Sequence, residues 1–552
     1  MEREDVRDLS QERALVSSRM RVWCEGRTGG GRFCLLVVSS ILFALSFPNH
    51  VVLEGIPLLA YVALVPVFPV VRYGRWFEMP FYGIFYGFLS YALFNYWLAP
   101  FHPLAIIIVP VIYATYFLMV FPLLKLADVL FPRRGYLVQT LVWIGYEYLK
   151  TTGFLGYAYG IMGYSQYAFL PLIQIADVTG VWGVSLLVVF PSAFLGWGLM
   201  HGVHRLREWC ARERWVIAGY GLLLLVALVY GLFAPVDYST APRWKVALVQ
   251  HDKDPWKGGL AAYRDGLERL MRLSDEALEE DPRIEAVVWS ETAFVPSIYW
   301  HLHVGTDPES TALVNRLLTY LDSRDPVVFV FGNDDGRPVK DAQGRMSRVD
   351  YNAVYVWKDG ELLGPYRKIH LVPFTEHFPY ERQLPGIYQW LKNADTHFWE
   401  KGSDYTVFDL GKVRLSTLVC FEDTFGYLSR EFVRRGAEVL VNLTNDSWSG
   451  LPSNAMQHMT ISVFRAVENR RSLVRSTNGG ITTAISPNGE ILASLPPFVQ
   501  DYLVCEVPVF TGRTTLYTRW GDWFAWFVLS LASLLLAGGL VFRLGRRLLR
   551  SR

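Results

Sequence analysis

The chain has 552 residues, room for more than one domain, with a net charge of +2, 19% charged residues and 52% hydrophobic residues. No basic face stands out, so nucleic acid is not an expected partner. The apolar residues are unevenly spread: 33–235 and 523–541 are overwhelmingly apolar, whereas 243–510 has the composition of a soluble domain, which excludes a chain that is water-soluble throughout.

About 20 apolar residues carry a helix across a bilayer. On that measure spans are predicted near 34–48, 56–71, 78–99, 103–124, 137–150, 181–200, 215–234 and 523–541. Lys and Arg concentrate in alternate connections: before residue 33, at Arg72 and Arg75, at Lys125, Arg133 and Arg134, at Arg205 to Arg214, and after residue 542. The intervening loops carry none beyond the boundary residue Lys150. By the positive-inside rule both termini are expected in the cytoplasm, with the block after the seventh span outside, which in a bacterium is the periplasm. The expected division is a cytoplasmic segment 1–32, a seven-span region 33–235, an outer catalytic domain 243–510, a last span within 511–542 and a basic tail 543–552. Ala44-Leu45-Ser46 also fits a small-x-small cleavage site, a competing reading of the first span that leaves the orientation unchanged.

Strand and helix patterns alternate through the outer block. Strands are predicted at 245–250, 285–290, 326–332, 351–357, 413–420, 438–443, 472–477 and 481–486, with helices at 258–280, 309–323 and 455–470. Alternation of this kind favours helix layers over a sheet. Of the five cysteines, only Cys420 and Cys505 fall on the outer side, which is no disulfide framework. Cys505 lies in an alternating strand and reads as packing. Cys420 ends the apolar run that begins at Val413.

Glu291 and Lys368 close, or directly follow, similar strand-like runs. A carboxylate, an ammonium and a thiol can serve as base, oxyanion-stabilising cation and nucleophile, the set that moves an acyl group through a thioester. A free thiol has a pKa of about 8.5, so Lys368 is expected to favour the thiolate of Cys420. Part of the stretch 373–400, rich in Phe, Tyr, Trp and Leu, is expected to form either a mobile apolar flap over the mouth of the site, touching lipid, or an ordinary helix packed on the domain, and loop 151–180 an interfacial wall on the same side.

Trp289-Ser290-Glu291, Arg367-Lys368-Ile369-His370-Leu371-Val372-Pro373-Phe374 and Val419-Cys420-Phe421-Glu422 resemble the three signatures of the nitrilase, or carbon–nitrogen hydrolase, superfamily. Asn442-Leu443-Thr444-Asn445-Asp446-Ser447-Trp448, Arg475-Ser476-Thr477-Asn478-Gly479-Gly480 and Gly163-Tyr164-Ser165-Gln166 extend the likeness. With the spans around them, residues 35 to 541 resemble the apolipoprotein N-acyltransferases of the bacterial inner membrane. That resemblance implies an αββα sandwich on a membrane helical bundle, with Glu291 as base, Lys368 as stabilising cation and Cys420 as nucleophile. It implies a supporting role for Glu376 and site-lining roles for Glu422, Trp448 and Trp256. Phe421 stands where a tyrosine is common, and Ser447 and Ser449 replace the usual alanine and aromatic. The implied reaction needs no cofactor or metal. It moves an acyl chain from a phospholipid, phosphatidylethanolamine by resemblance, to the amine of a diacylglyceryl-cysteine on an apolipoprotein. A membrane-tethered amidase acting on small amides is the alternative, and a transporter or scaffold with an inactive domain a further one.

Overall fold

The computed structural model describes residues 28–101, 105–255, 257–305, 307–340, 344–378, 380–393 and 398–550. Trp256 lies outside the described residues, as does most of the N-terminal segment. Helices fill the first part: α1 (Gly29–Ser46), α2 (Met79–Phe94), α3 (Ala105–Leu130), α4 (Gly135–Leu149), α5 (Val181–Leu199) and α6 (Arg214–Phe233). Of these, α1, α3, α5 and α6 are long and apolar enough to cross a membrane. Helix α5 is the hub, largely enclosed by its neighbours, whereas α6 presents Leu222, Leu223, Leu225, Val226 and Phe233 outward. An apolar face turned away from protein belongs against lipid.

The region expected as one span at 56–71 is two pieces, a 3-10 turn Pro57–Tyr61 and a short helix Val67–Tyr73. Pro66 starts the second piece and Pro69 sits within its first turn, where a missing N–H is tolerated; in a continuous helix both rings would break the ladder. The expected wall 151–180 is also different in kind. It folds into short helical turns, and residues 156–167 are buried between the helices and the outer domain.

The outer domain is built on two six-stranded mixed sheets. The first contains β1 (Arg243–Gln250), β2 (Ala286–Val288), β3 (Val328–Lys340), β4 (Met346–Lys358) and β5 (Glu361–Arg367); the second contains β6 (Val407–Asp409), β7 (Arg414–Val419), β8 (Val439–Asn445), β9 (Ser472–Asn478), β10 (Thr483–Ile485) and β11 (Ile491–Ser494). Strand β12 (Asp501–Pro508) returns to pair antiparallel with β1, giving the orders β12-β1-β2-β3-β4-β5 and β11-β10-β9-β8-β7-β6. The central strands β1–β2–β3 and β7–β8–β9 run parallel. Parallel strands are covered on both faces. Accordingly α7 (Gly259–Glu280) and α8 (Pro308–Asp322) bury Leu267, Leu270, Leu313 and Leu317 against Val287, Trp289 and Phe329.

A short helix α9 (Pro385–Asn393) follows β5, and the second sheet is covered by α10 (Gly426–Arg434) and α11 (Pro452–Asn469). Ser476 Oγ, on the second sheet, donates to the carbonyls of Val249 and Val288 on the first, at 3.2 and 2.9 Å. The chain ends in α12 (Trp523–Arg550), a further helix long and apolar enough to cross a membrane. One continuous apolar core joins the membrane helices to the second sheet, so the expected αββα sandwich is docked on the helices through α11.

Candidate active site

Three strand ends bring the candidate residues together. Glu291 follows β2, where the backbone passes so close over Gly332 that a Cβ there would lie 2.9 Å from the Glu291 backbone. Trp289 anchors the approach by donating from Nε1 to Ser274 Oγ at 2.9 Å. Lys368 follows β5, held by its own N–H to the Asn352 carbonyl at 2.8 Å. Cys420 follows β7 and has φ of 51°. The left-handed region is costly for a side chain with a Cβ, and such outliers cluster at functional sites. Asn442 Nδ2 donates to the Cys420 carbonyl at 3.1 Å and holds the turn.

Lys368 is fully buried and is gripped between two carboxylates: Nζ lies 2.8 Å from Glu376 Oε1 and 3.4 Å from Glu291 Oε1. Burial alone would lower its pKa, but Glu376, Glu291 and the cysteine outweigh burial and hold it above the ordinary lysine range. Glu376 is itself fixed by the Val372 N–H on Oε2 at 2.9 Å, and burial raises its pKa against the pull of Lys368. Glu291 accepts from Asn352 Nδ2 at 2.8 Å on one oxygen and from the Asn445 N–H at 3.0 Å on the other. Its orientation is therefore set from both sheets.

The expected resting thiolate is not what this environment favours. Burial, then the negative charge of Glu291, push the Cys420 pKa well above the ordinary thiol range, and Lys368 offsets only part of that. Lys368 is already paired, so its field at the sulfur is largely cancelled. A carboxylate whose charge is felt at the thiol can accept its proton during attack.

Glu422, for which the resemblance implied a site-lining role, turns its carboxylate to backbone. Its carboxylate accepts from Tyr366 OH and from the N–H groups of Ile369, His370 and Val419, at 2.7–2.9 Å. It staples the segment that follows Lys368 to the turn that carries Cys420, and burial raises its pKa to about 7. Phe421 is buried and stacks on Tyr159, with ring centroids 6.3 Å apart. Trp448 meets Trp97 of the membrane part edge-on at 5.6 Å, at the junction of the two regions.

Several residues that hold the site were given no role there from sequence, although Asn445, Asp446 and Arg475 lie in segments that extend the likeness. Asn352 and Asn445 orient Glu291. Below the cysteine turn, Asp423 accepts from His458 Nε2 at 2.8 Å and from Arg475, while His458 Nδ1 faces Asp446 Oδ1 at 2.9 Å. Burial would lower the His458 pKa, but Asp423 and Asp446 raise it to about 9. Asn352 could have been flagged as a lone polar residue in an apolar strand run, since buried polar groups need partners.

Two mixed sheets with helices on both outer faces, and a cysteine, a lysine and a glutamate at three strand ends, are the plan of a carbon–nitrogen hydrolase. Residues 245–515 match that family, described as Carbon-nitrogen hydrolase, and residues 39–194 match the Apolipoprotein N-acyltransferase N-terminal domain. The chain is 44% identical over 550 residues to Apolipoprotein N-acyltransferase 1 of Treponema pallidum, covering 97% of this chain and 99% of that one. It is 42% identical over 505 residues to Apolipoprotein N-acyltransferase 1 of Treponema denticola, covering 89% and 93%. Among solved structures, a carbon-nitrogen hydrolase from Helicobacter pylori is 19% identical, with TM-score 0.34 over 48% of this chain and 89% of that one. The chain belongs to the apolipoprotein N-acyltransferase family, and it is a membrane protein.

Proposed function

We propose that this protein moves an acyl chain from a phospholipid to the N-terminal amine of a diacylglyceryl-cysteine on an apolipoprotein, through a thioester on Cys420. The observation that carries this reading is the strained cysteine turn, whose sulfur feels the charges of Glu291, Lys368 and Glu376, in a chain with helices long and apolar enough to cross a membrane. In the first half-reaction Glu291 accepts the thiol proton as the sulfur attacks an ester carbonyl. The oxyanion forms beside the Lys368 ammonium. Collapse breaks the ester C–O bond, Glu291 returns the proton to the leaving glycerol oxygen, and a lysophospholipid departs. In the second half-reaction the acceptor amine attacks the thioester carbonyl. Glu291 takes the amine proton, the C–S bond breaks, and the proton goes back to the cysteine sulfur. The amide is released and the enzyme is restored, a ping-pong sequence.

Phosphatidylethanolamine is the proposed donor. The outer domain, 243–510, is read as periplasmic on the bacterial inner membrane, with segments 1–32 and 543–552 cytoplasmic, from the alternation of Lys and Arg. Relatives named as N-acyltransferases over nearly their full length favour transfer over the amidase alternative.

Intact-protein mass spectrometry after incubation with phosphatidylethanolamine tests the assignment. One fatty acyl mass is expected, mapped to Cys420 and absent from Cys420→Ser. An adduct on another residue, or free acid without an adduct, rejects it.

A further inference from the structure

Four charged side chains meet beside the cysteine turn: Asp423, Asp446, His458 and Arg475, none more than 2% exposed. They come from four parts of the chain. Asp423 lies in the 3-10 turn Cys420–Thr424, three residues beyond the nucleophile. Asp446 directly follows β8, His458 sits on α11 and Arg475 on β9. Asn445, the residue before Asp446, holds Glu291 Oε2 through its N–H at 3.0 Å. Nucleophile and base are thus each a short stretch of backbone away from one carboxylate of the cluster.

His458 spans the two carboxylates, with Nε2 2.8 Å from Asp423 Oδ1 and Nδ1 2.9 Å from Asp446 Oδ1. A neutral imidazole has one N–H and one lone pair. Either tautomer would therefore set a lone pair against a carboxylate oxygen, and both contacts are hydrogen bonds only when both ring nitrogens carry a proton. Charge balance gives the same answer. Arg475 alone leaves the two carboxylates one negative charge in excess, and an uncompensated buried charge is costly. An imidazolium brings the sum to zero. The two carboxylates are not equally served. Asp423 also accepts from Ser462 Oγ at 2.6 Å and from Arg475, whereas the second cation on Asp446, Arg475 Nη2, stands 3.5 Å away. Asp446 thus depends on His458 for its short contact. A Cβ at Gly480 would lie 2.5 Å from Asp446 Oδ2, so that glycine leaves the carboxylate its place. On the membrane side the Tyr159 ring covers the imidazole, with centroids 6.0 Å apart.

We propose that His458 is a positioning residue: an imidazolium that bridges the turn of Cys420 to the segment that aims Glu291, and that neutralises Asp446. This deepens the proposed function and rests on the roles given there to Cys420 and Glu291. The bridge has an electrostatic side as well as a geometric one. The negative charge of Asp446 is among those that push the Cys420 pKa up, and Asp446 without its imidazolium pushes harder. His458 touches neither lipid nor thiol in this scheme. It sets the distance between sulfur and base, and it limits how reluctant the sulfur is to lose its proton.

The test compares the full-length native protein with His458→Gln, Asp446→Asn and the double variant. Alkylation of Cys420 by iodoacetamide at pH 7 is followed by peptide mass spectrometry, which separates it from the other cysteines. His458→Gln removes the cation and keeps a hydrogen-bond donor; alkylation is expected to slow at least threefold. Asp446→Asn removes the opposing charge and keeps the shape; alkylation is expected to quicken at least threefold. The double variant, in which both charges are gone, is expected to return to within twofold of native. Asp446→Asn alone keeps the test decisive should His458→Gln fail to fold. Alkylation needs no acyl donor, so this ordering is read independently of whether the proposed transfer occurs. In the transfer assay with phosphatidylethanolamine, His458→Gln is expected to lower kcat at least tenfold with KM within twofold of native. Alkylation unchanged in either single variant, a double variant as slow as His458→Gln, or a raised KM at unchanged kcat would overturn the proposal.

Discussion

At the scale of single residues, the balance of charge around the sulfur decides how the chemistry starts. One ammonium is shared by two carboxylates, and burial together with the Glu291 charge pushes the thiol pKa up. This has a consequence that separates reactivity from turnover. Glu291→Gln removes a negative charge that raises the cysteine pKa, while Lys368 remains. Alkylation of Cys420 by iodoacetamide at pH 7 is expected to be slower than for a free thiol in the native protein and several-fold faster in Glu291→Gln. Acyl transfer by the same variant is expected to fall at least a hundredfold, the range set by loss of a general base, roughly 10²–10⁴. Alkylation unchanged or slowed by the substitution would mean that Glu291 does not face the sulfur. Glu422 makes a related point. A carboxylate within the cysteine signature points into backbone amides, so its work is to hold two strand ends together.

At the scale of elements, helix α9 is apolar on two faces. Leu391 is buried, and Tyr388 stacks on Phe378, with centroids 6.4 Å apart. Leu384 just before the helix, then Ile387 and Trp390, recur every third residue on the other side and are all about half exposed. The segment is tied toward the membrane side by Phe154, whose ring meets Phe374 at 5.7 Å and Tyr380 at 6.0 Å. An amphipathic surface beside a bilayer lowers its free energy by seating its outer face among lipid. Brominated lipid is expected to quench tryptophan emission in the native protein by more than in Trp390→Phe. Equal quenching in the two proteins would place α9 clear of lipid.

At the scale of the whole molecule, α11 joins the sandwich to the membrane part. Gln457 Nε2 donates to the Pro48 carbonyl at 2.8 Å, and Trp97 Nε1 donates to Gln457 Oε1 at 2.9 Å. Just beyond its C-terminus Arg470, with φ of 50°, turns a fully buried guanidinium onto Asp177 of the 151–180 loop, with Nη2 2.8 Å and Nε 3.1 Å from Oδ2. Asp177 also accepts from Tyr230 OH of α6 at 2.8 Å. Removing one partner of a buried pair strands the other charge, at a cost of about 3–5 kcal/mol. Asp177→Ala is therefore expected to lower the thermal midpoint of the full-length protein by several degrees, whereas Asp237→Ala on the exposed linker is expected to leave it unchanged. The pair ties the outer domain to the membrane part.

Local pattern was enough for much of this. Apolar run length marked most of the long helices, alternation marked most strands, and three motifs at strand ends pointed to Glu291, Lys368 and Cys420, because each signal lies within a few consecutive residues. The same local view misread 56–71, where hydropathy counts Pro57, Pro66 and Pro69 as neutral although their rings interrupt a helix. Partnership between distant segments stayed hidden. That Lys368 is shared by Glu291 and Glu376, that Glu422 turns to backbone, that Asn352 and Asn445 aim the base, and that Arg470 finds Asp177 are all decided by which side chains meet after burial. Those meetings shift the pKa of the cysteine upward. Burial strips water from each group, so its charge state depends on neighbours from remote parts of the chain, and only the folded arrangement specifies them.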